Sequence, residues 1–343
     1  MKEGRFKWFD KTQNRYFKAI RKAHKVHHKN HNARSAGLGG DLITAKDQDI
    51  NIGIANPSLL NSTMKKHTGF NQAFLAGGIN YGMVTHDFNV DKIWTMSGYL
   101  KYLSYGTFER TDVKGTRQGT FSPIDILLGS GFGRQLNPRI SIGVNLNMIY
   151  SQLESYSSYG AGIDLAGTFY NEKKEFLVTA MVKNAGIQFK TYSENSQRKP
   201  LQAEFQLAAA YKLPHAPLRI SILAHHRNKW DLTFNDPTLT PTIDYLSGDT
   251  IAVPKANFVE KLARHFTFQV ETIISKNIHL RTGFDYHLRK ELALNQRPGI
   301  AGASIGLGLY FNKFSLDYGF VTYSRAGFNN MLILTTDLAK WRK

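Results

Sequence analysis

Between Arg139 and Ser151 the side chains alternate in character. Ile140, Ile142, Val144, Leu146, Met148 and Tyr150 share one parity; Ser141, Gly143, Asn145, Asn147 and Ser151 share the other, with Ile149 the exception. A period of two puts the two sets on opposite faces of a β-strand. The pattern returns in Tyr159, Ala161, Ile163, Leu165, Gly167 and Phe169 against Gly160, Gly162, Asp164 and Thr168. It returns again in Ile278, Leu280, Thr282, Phe284, Tyr286 and Leu288 against His279, Arg281, Gly283, Asp285 and His287. Trp94, Met96, Leu100 and Tyr102 repeat it earlier, and Phe314, Leu316, Tyr318 and Phe320 repeat it late. These segments run for roughly 10–14 residues, about twice the usual soluble strand. Roughly ten residues tilted at about 45° is what a strand needs to cross a bilayer.

Helix-period patterns are nearly absent from the same region. Turn signals (Gly, Pro, Asn, Asp and charged clusters) divide residues 68–338 into about fourteen candidate strands. These begin near residues 68, 76, 92, 121, 139, 158, 175, 203, 217, 263, 278, 299, 314 and 328. Joins around Asn89–Asp91, Leu136–Pro138, Asn171–Lys174, Leu213–Pro217, Ser275–Asn277 and Asn312–Lys313 are tight. Between them fall longer joins, Thr107–Thr120, Gln188–Gln202, Asp231–Leu262 and Glu291–Pro298, while those near Glu154 and Arg325 are short. Short turns at one end and longer loops at the other are how outer-membrane barrels are built. A soluble sandwich or propeller does not produce that asymmetry. Closing the sheet gives every backbone N–H and C=O a partner in lipid. The expectation is an all-β transmembrane antiparallel barrel of about fourteen strands at residues 68–338, in the cell outer membrane. A plug or hatch-like segment at 35–67 and a basic segment at 1–34 precede it.

Charge and composition exclude several functions. No stretch of about 18 apolar residues occurs, so no helix can span lipid. Zero cysteines exclude a disulfide scaffold, a thiol nucleophile and Cys-ligated metal. The net charge of +18 resembles a nucleic-acid footprint, but residues 1–34 alone carry 11 Lys/Arg against 2 acids. The remaining 309 residues carry the same excess of nine, so no nucleic acid is expected. Outer-membrane lipid and phosphorylated lipopolysaccharide are the anionic partners such a rim would attract.

The candidate chemistry is sparse. The glycines from Gly129 to Gly133, and Gly160, Gly162 and Gly167, lie inside strand patterns and precede no helix. They predict bends or close packing against a plug rather than a nucleotide loop. His24, His27, His28 and His31 would share one helical face, but no carboxylate joins them and Lys/Arg surround them. His225 and His226 are adjacent at a strand end, and adjacent strand residues face opposite sides, which predicts no shared ligand site. Ser221 sits too far along the strand to contact His225, and no Gly-x-Ser-x-Gly elbow exists. No catalytic residue, cofactor or metal is expected. The Asp231–Leu262 loop is long enough to be functional, and Trp230, Asp231, Tyr245 and Phe258 are its candidate partner surface.

The stretch from Ala33 to Gly40, followed by Asn56 to Leu60, resembles the start of FadL-like outer-membrane barrels. Within that family it resembles the PorQ-like barrels of the type IX secretion system of Bacteroidetes. Gly77–Gly82, Leu153–Tyr159, Lys183–Gly186, Ala224–His226, Lys229–Leu232, Arg289–Leu292 and Arg297–Gly299 are similar to its recurrent blocks. The resemblance covers about residues 33–338. It implies a fourteen-stranded barrel without enzymatic activity that anchors or docks the attachment complex for secreted cargo. A PorZ-like surface protein is the implied direct partner, with PorU and PorV in the same assembly. The alternative within the wider family is a transport channel for hydrophobic molecules. Such proteins are expected to begin with a cleavable leader, which residues 1–34 do not supply. A misassigned start or an upstream frameshift is the corresponding expectation.

Overall fold

The computed structural model describes residues 32–341, except 65, 76–77, 89–92, 113, 193–199, 202, 227–228, 234–240, 244–249, 252–255, 293–298 and 325–326. Fourteen antiparallel strands close into a barrel. They are β1 His67–Phe74, β2 Asn80–Phe88, β3 Trp94–Ser104, β4 Ile124–Asn137, β5 Ile140–Leu153, β6 Tyr156–Asn171 and β7 Phe176–Lys190. β8 Glu204–Lys212, β9 Leu218–Ala224, β10 Phe266–Ile273, β11 Ile278–Asp285, β12 Ala303–Tyr310, β13 Phe314–Ser324 and β14 Gly327–Asp337 complete it. Each strand pairs with its neighbour in sequence, and β1 closes on β14 with His67 opposite Asp337 and Phe74 opposite Asn330. No helix among the described residues is long and apolar enough to cross a membrane. The wall does so instead, its backbone groups paired all the way round.

The expected asymmetry is present. The first strand starts and the last strand ends at the same end as the tight joins, and the long joins all lie at the other. Two small hairpins decorate that loop end, Phe108–Thr111 with Arg117–Phe121 and Thr242–Ile243 with Thr250–Ile251. The parity assigned to β5 also holds: Ile140, Ile142, Leu146, Met148 and Tyr150 are exposed, whereas Asn145, Asn147 and Ser151 are buried. Aromatic side chains gather at both rims of the outer surface. Phe88, Trp94, Phe169, Phe176 and Phe314 lie at the turn end, and Phe74, Tyr102, Tyr150, Tyr159 and Phe189 at the loop end. Aliphatic residues such as Leu128, Leu146, Leu165 and Ile222 fill the band between them. An apolar belt between two aromatic girdles is the surface a bilayer requires.

One expected strand ends early. The alternation assigned through Leu288 stops at Asp285, and Tyr286–Leu292 forms a short helix with Leu288 buried. Asp285 Oδ1 accepts from the Leu288 N–H at 3.0 Å, so the carboxylate caps a helix where the apolar spacing suggested more strand. The wall is irregular between β6 and β7, where the register shifts at Ile163/Leu165. There Asn184 takes a left-handed φ of 58° and donates its N–H to Asp164 Oδ1 at 2.7 Å. Asn tolerates this conformation better than most residues, and the carboxylate meets the N–H that the slip removes from the ladder.

Residues 32–64 enter the lumen as a plug. Helix α1 (Ala33–Gly37) is capped by Asn32, whose side chain accepts from the Ser35 N–H at 2.7 Å. Helix α2 (Ile50–Ala55) is capped by Asp49, and the turn Pro57–Leu59 by Asn56. The boundary expected after Arg34 therefore falls inside this element: Asn32, Ala33 and Arg34 are all buried in the barrel. His24, His27, His28 and His31 lie outside the described residues.

Candidate functional site: the plugged lumen

Irregular backbone inside a membrane barrel must find hydrogen-bond partners on the wall. The inward polar residues supply them. Asn145 Nδ2 donates to Ile54 O at 3.0 Å, Thr179 Oγ1 to Ile43 O at 2.9 Å, and Gln269 Nε2 to Asp41 O at 3.2 Å. From the plug, Asn56 Nδ2 donates to Ile43 O at 2.8 Å and to Thr168 Oγ1 at 3.1 Å, and Ser58 Oγ lies 2.6 Å from Thr168 Oγ1. Much of the polar face of the strands is thus buried and bonded to the plug.

Charge adds a second set of ties. The Arg34 guanidinium is buried against Asp47 Oδ2 at 2.7 Å, Asp49 Oδ2 at 3.4 Å and Glu271 Oε2 at 3.1 Å. Glu271 also receives Arg219 at 2.6 Å and Arg281 at 2.9 Å, and Arg281 reaches Asp317 at 2.5 Å. The plug is therefore continuous with an ion-pair network spanning β9, β10, β11 and β13. On the neighbouring strands β7 and β8, Lys183 Nζ meets Asp41 Oδ2 at 2.8 Å, where Gln206 Nε2 also donates at 3.1 Å. Charges taken out of water require such mutual compensation.

Glycines mark where plug backbone touches wall backbone. A Cβ on Gly283 would lie 2.0 Å from the Leu38 carbonyl, and one on Gly143 would lie 2.2 Å from Pro57. Gly133 meets Leu60 and the Pro57 carbonyl, so this end of the run packs against the plug as expected, whereas Gly131 is closest to the wall side chains Asn145 and Ser97 and Gly129 to Tyr99. Gly167 differs, because a Cβ there would meet nothing. It faces a lipid-side depression of about 390 Å³ rimmed by Trp94, Ile142, Val144, Leu165, Val182 and Phe205.

Toward the loop end an apolar cluster packs among inward polar residues such as Lys101 and Asp125. Ala73, Tyr81, Met83, Leu103, Met331 and Ile333 are buried together with Tyr99, Leu127 and Val321. Ala33, Ala36 and Ile54 of the plug belong to the same cluster. Tyr99 Oη donates to Asn147 Oδ1 at 2.6 Å, so the ring packs as an apolar body with its hydroxyl satisfied.

The candidate partner surface sits above this on the long loop. Trp230 is half exposed, and its ring centroid lies 5.5 Å from that of Phe258, itself exposed at the start of helix α3 (Phe258–Ala263). Asp231 Oδ2 accepts from Lys261 Nζ at 2.7 Å, and Thr233 donates to Oδ1 from both N–H and hydroxyl. These bonds hold the Asp231 carboxyl well below the usual carboxylate range. Trp230, Asp231 and Phe258 are thus brought together; Tyr245 lies outside the described residues. The sequence pattern did not single out the plug-to-wall network. Its signal was there: Glu271, Arg281 and Asp317 are charged residues at inward positions of membrane strands, which are costly unless paired.

His225 and His226 also depart from expectation. They follow the last residue of β9, and His226 takes a left-handed φ of 56°. That turn removes the alternation, and the two imidazoles meet Nδ1 to Nδ1. His225 Nε2 contacts Thr267 Oγ1 at 3.1 Å.

No family model matches this chain, and no curated protein sequence matches it. Among solved structures the chain is similar to the Ralstonia pickettii toluene transporter TbuX, with 8% identity, 91% of this chain and 99% of that one covered, and a TM-score of 0.55. It is also similar to the Pseudomonas putida toluene transporter TodX, with 12% identity, 90% and 97% covered, and a TM-score of 0.52. At these identities the likeness is one of fold, a FadL-like barrel with an N-terminal plug. The secretion-system resemblance rests on its sequence blocks alone.

Proposed function

We propose that this chain is an outer-membrane channel of the FadL type that admits small hydrophobic molecules. The observation that carries the reading is the buried apolar cluster on the inner wall, from Tyr81 and Leu103 to Met331 and Ile333, packed against Ile54 of the plug. Such a lining favours apolar solutes, while the hydrogen-bonded plug below it obstructs a continuous water path. The similar barrels named for toluene transport support the same direction. No catalytic role is proposed.

A second reading is favoured by a different observation, the exposed Trp230–Phe258 pair on the loop that leaves β9. Exposed aromatic anchors of this kind suit protein contact. In that reading the barrel is a docking component of a type IX attachment complex, facing a PorZ-like surface protein with PorU and PorV in the same assembly.

One strain tests both. Cells lacking the gene are compared with complemented cells for uptake of radiolabelled toluene and for retention of surface-attached proteins. The channel reading expects uptake to fall severalfold with the surface proteins retained. Unchanged uptake with loss of surface proteins would favour docking instead.

A further inference from the structure

At the loop end, Glu204 opens β8 beside the pair that follows β9. One ligand atom from each of Glu204, His225 and His226 lies within 4.8 Å of the other two. His225 is buried, and the other two are partly accessible, which leaves a path for an ion to enter. The left-handed φ at His226 creates this convergence, because an extended backbone would send the rings to opposite sides.

The surroundings hold the set in place. Glu204 Oε1 accepts from the His226 N–H at 3.2 Å and from Gln206 Nε2 at 3.1 Å. The His225 N–H donates to His265 O at 2.9 Å. Thr267 Oγ1, 3.1 Å from His225 Nε2, can accept its N–H and so leave the Nδ1 lone pair aimed at the cluster. Two imidazole Nδ1 atoms facing each other satisfy one another only when one of them, and not both, carries a proton; a bound cation satisfies both by accepting a lone pair from each. His265 is close but is no ligand, since its ring nitrogens are directed at His225 O at 3.0 Å and Trp230 O at 2.9 Å.

We propose that Glu204, His225 and His226 bind one divalent transition-metal ion, with zinc the best match. Two imidazoles and a carboxylate are a borderline-soft set suited to zinc, with bonds of about 2.0–2.2 Å and a fourth position left over. The fourth position is left to water. Bound metal ties the end of β9 to the start of β8. It thereby sets the direction in which the loop bearing Trp230 and Phe258 departs.

The test uses the full chain in detergent, stripped with chelator and titrated with Zn²⁺ alone by calorimetry, with metal content measured after gel filtration. Co²⁺ absorption reports the ligand set independently. The expected result is a site that Glu204→Gln and His226→Ala each weaken by about 100-fold, and Thr267→Val by about tenfold. Heat-modifiable gel migration checks that each variant remains a barrel. Glu204→Gln is near-isosteric, so it answers even where His226→Ala fails to fold. The proposal is overturned if the stripped protein takes up no zinc. It is equally overturned if its zinc site and Co²⁺ spectrum survive Glu204→Gln, or if only His27→Ala and His28→Ala remove binding.

Discussion

Arg34 shows how much one residue can organise in a barrel. Its guanidinium compensates two plug carboxylates and Glu271 on the wall; Arg34 and Glu271 are buried, while Asp47 is partly exposed. Removing one partner of such a buried network typically costs about 3–5 kcal/mol, because the remaining charges stay desolvated. Arg34→Ala is therefore expected to loosen the plug by an amount of that order. Limited proteolysis of the plug and a lower denaturation midpoint would measure it; wild-type behaviour on both would refute the network's role. Gly283 makes the matching steric prediction. A methyl group there meets the Leu38 carbonyl at 2.0 Å, so Gly283→Ala should cost about 1–3 kcal/mol by overpacking. The same denaturation assay reads the cost. Neither effect is visible in local sequence, since Arg34 and Glu271 are separated by 237 positions.

At the scale of elements, strand alternation was legible wherever the pleat alone decides orientation. In β5 the parity separates Leu146, exposed to lipid, from Asn145, bonded to the plug. Leu146→Arg near mid-strand is expected to destabilise insertion by about 2–4 kcal/mol. Equilibrium folding into lipid vesicles from denaturant gives that number, and a neutral outcome would contradict the lipid-facing assignment. The pattern failed where a cap or a turn intervened. Asp285 accepts the Leu288 N–H and converts an apparent strand into a helix, and the φ of His226 brings together two rings that extended backbone keeps apart. On the long loop, the Trp230 ring lies tilted against Phe258 and stacks on His265 at the rim of β10. Trp230→Ala should leave barrel stability unchanged on a heat-modifiability series. Loss of a captured surface partner with that variant would favour the docking reading over the channel.

For the whole molecule, the plug decides what the closed wall can do. An empty fourteen-stranded barrel would conduct ions, whereas hydrogen bonds and ion pairs reach into this lumen from well-separated strands, from Thr85 on β2 and Asn145 on β5 to Lys183 on β7 and Glu271 on β10. Deleting residues 32–64 is expected to produce large single-channel conductance in a planar bilayer, against little for the intact chain. Equal conductance would mean that the plug does not occlude the pore. By itself the sequence determined the barrel, its approximate strand number, its end-to-end asymmetry and the face each strand turns to lipid. These follow from a two-residue period and local turn chemistry, both short-range properties of the chain. Only the tertiary structure decided that the inward polar residues serve a plug, that Arg34 is part of it, and that Glu204, His225 and His226 converge. Those outcomes depend on which distant strands become neighbours when the sheet closes, and on a single left-handed φ that residue spacing does not encode.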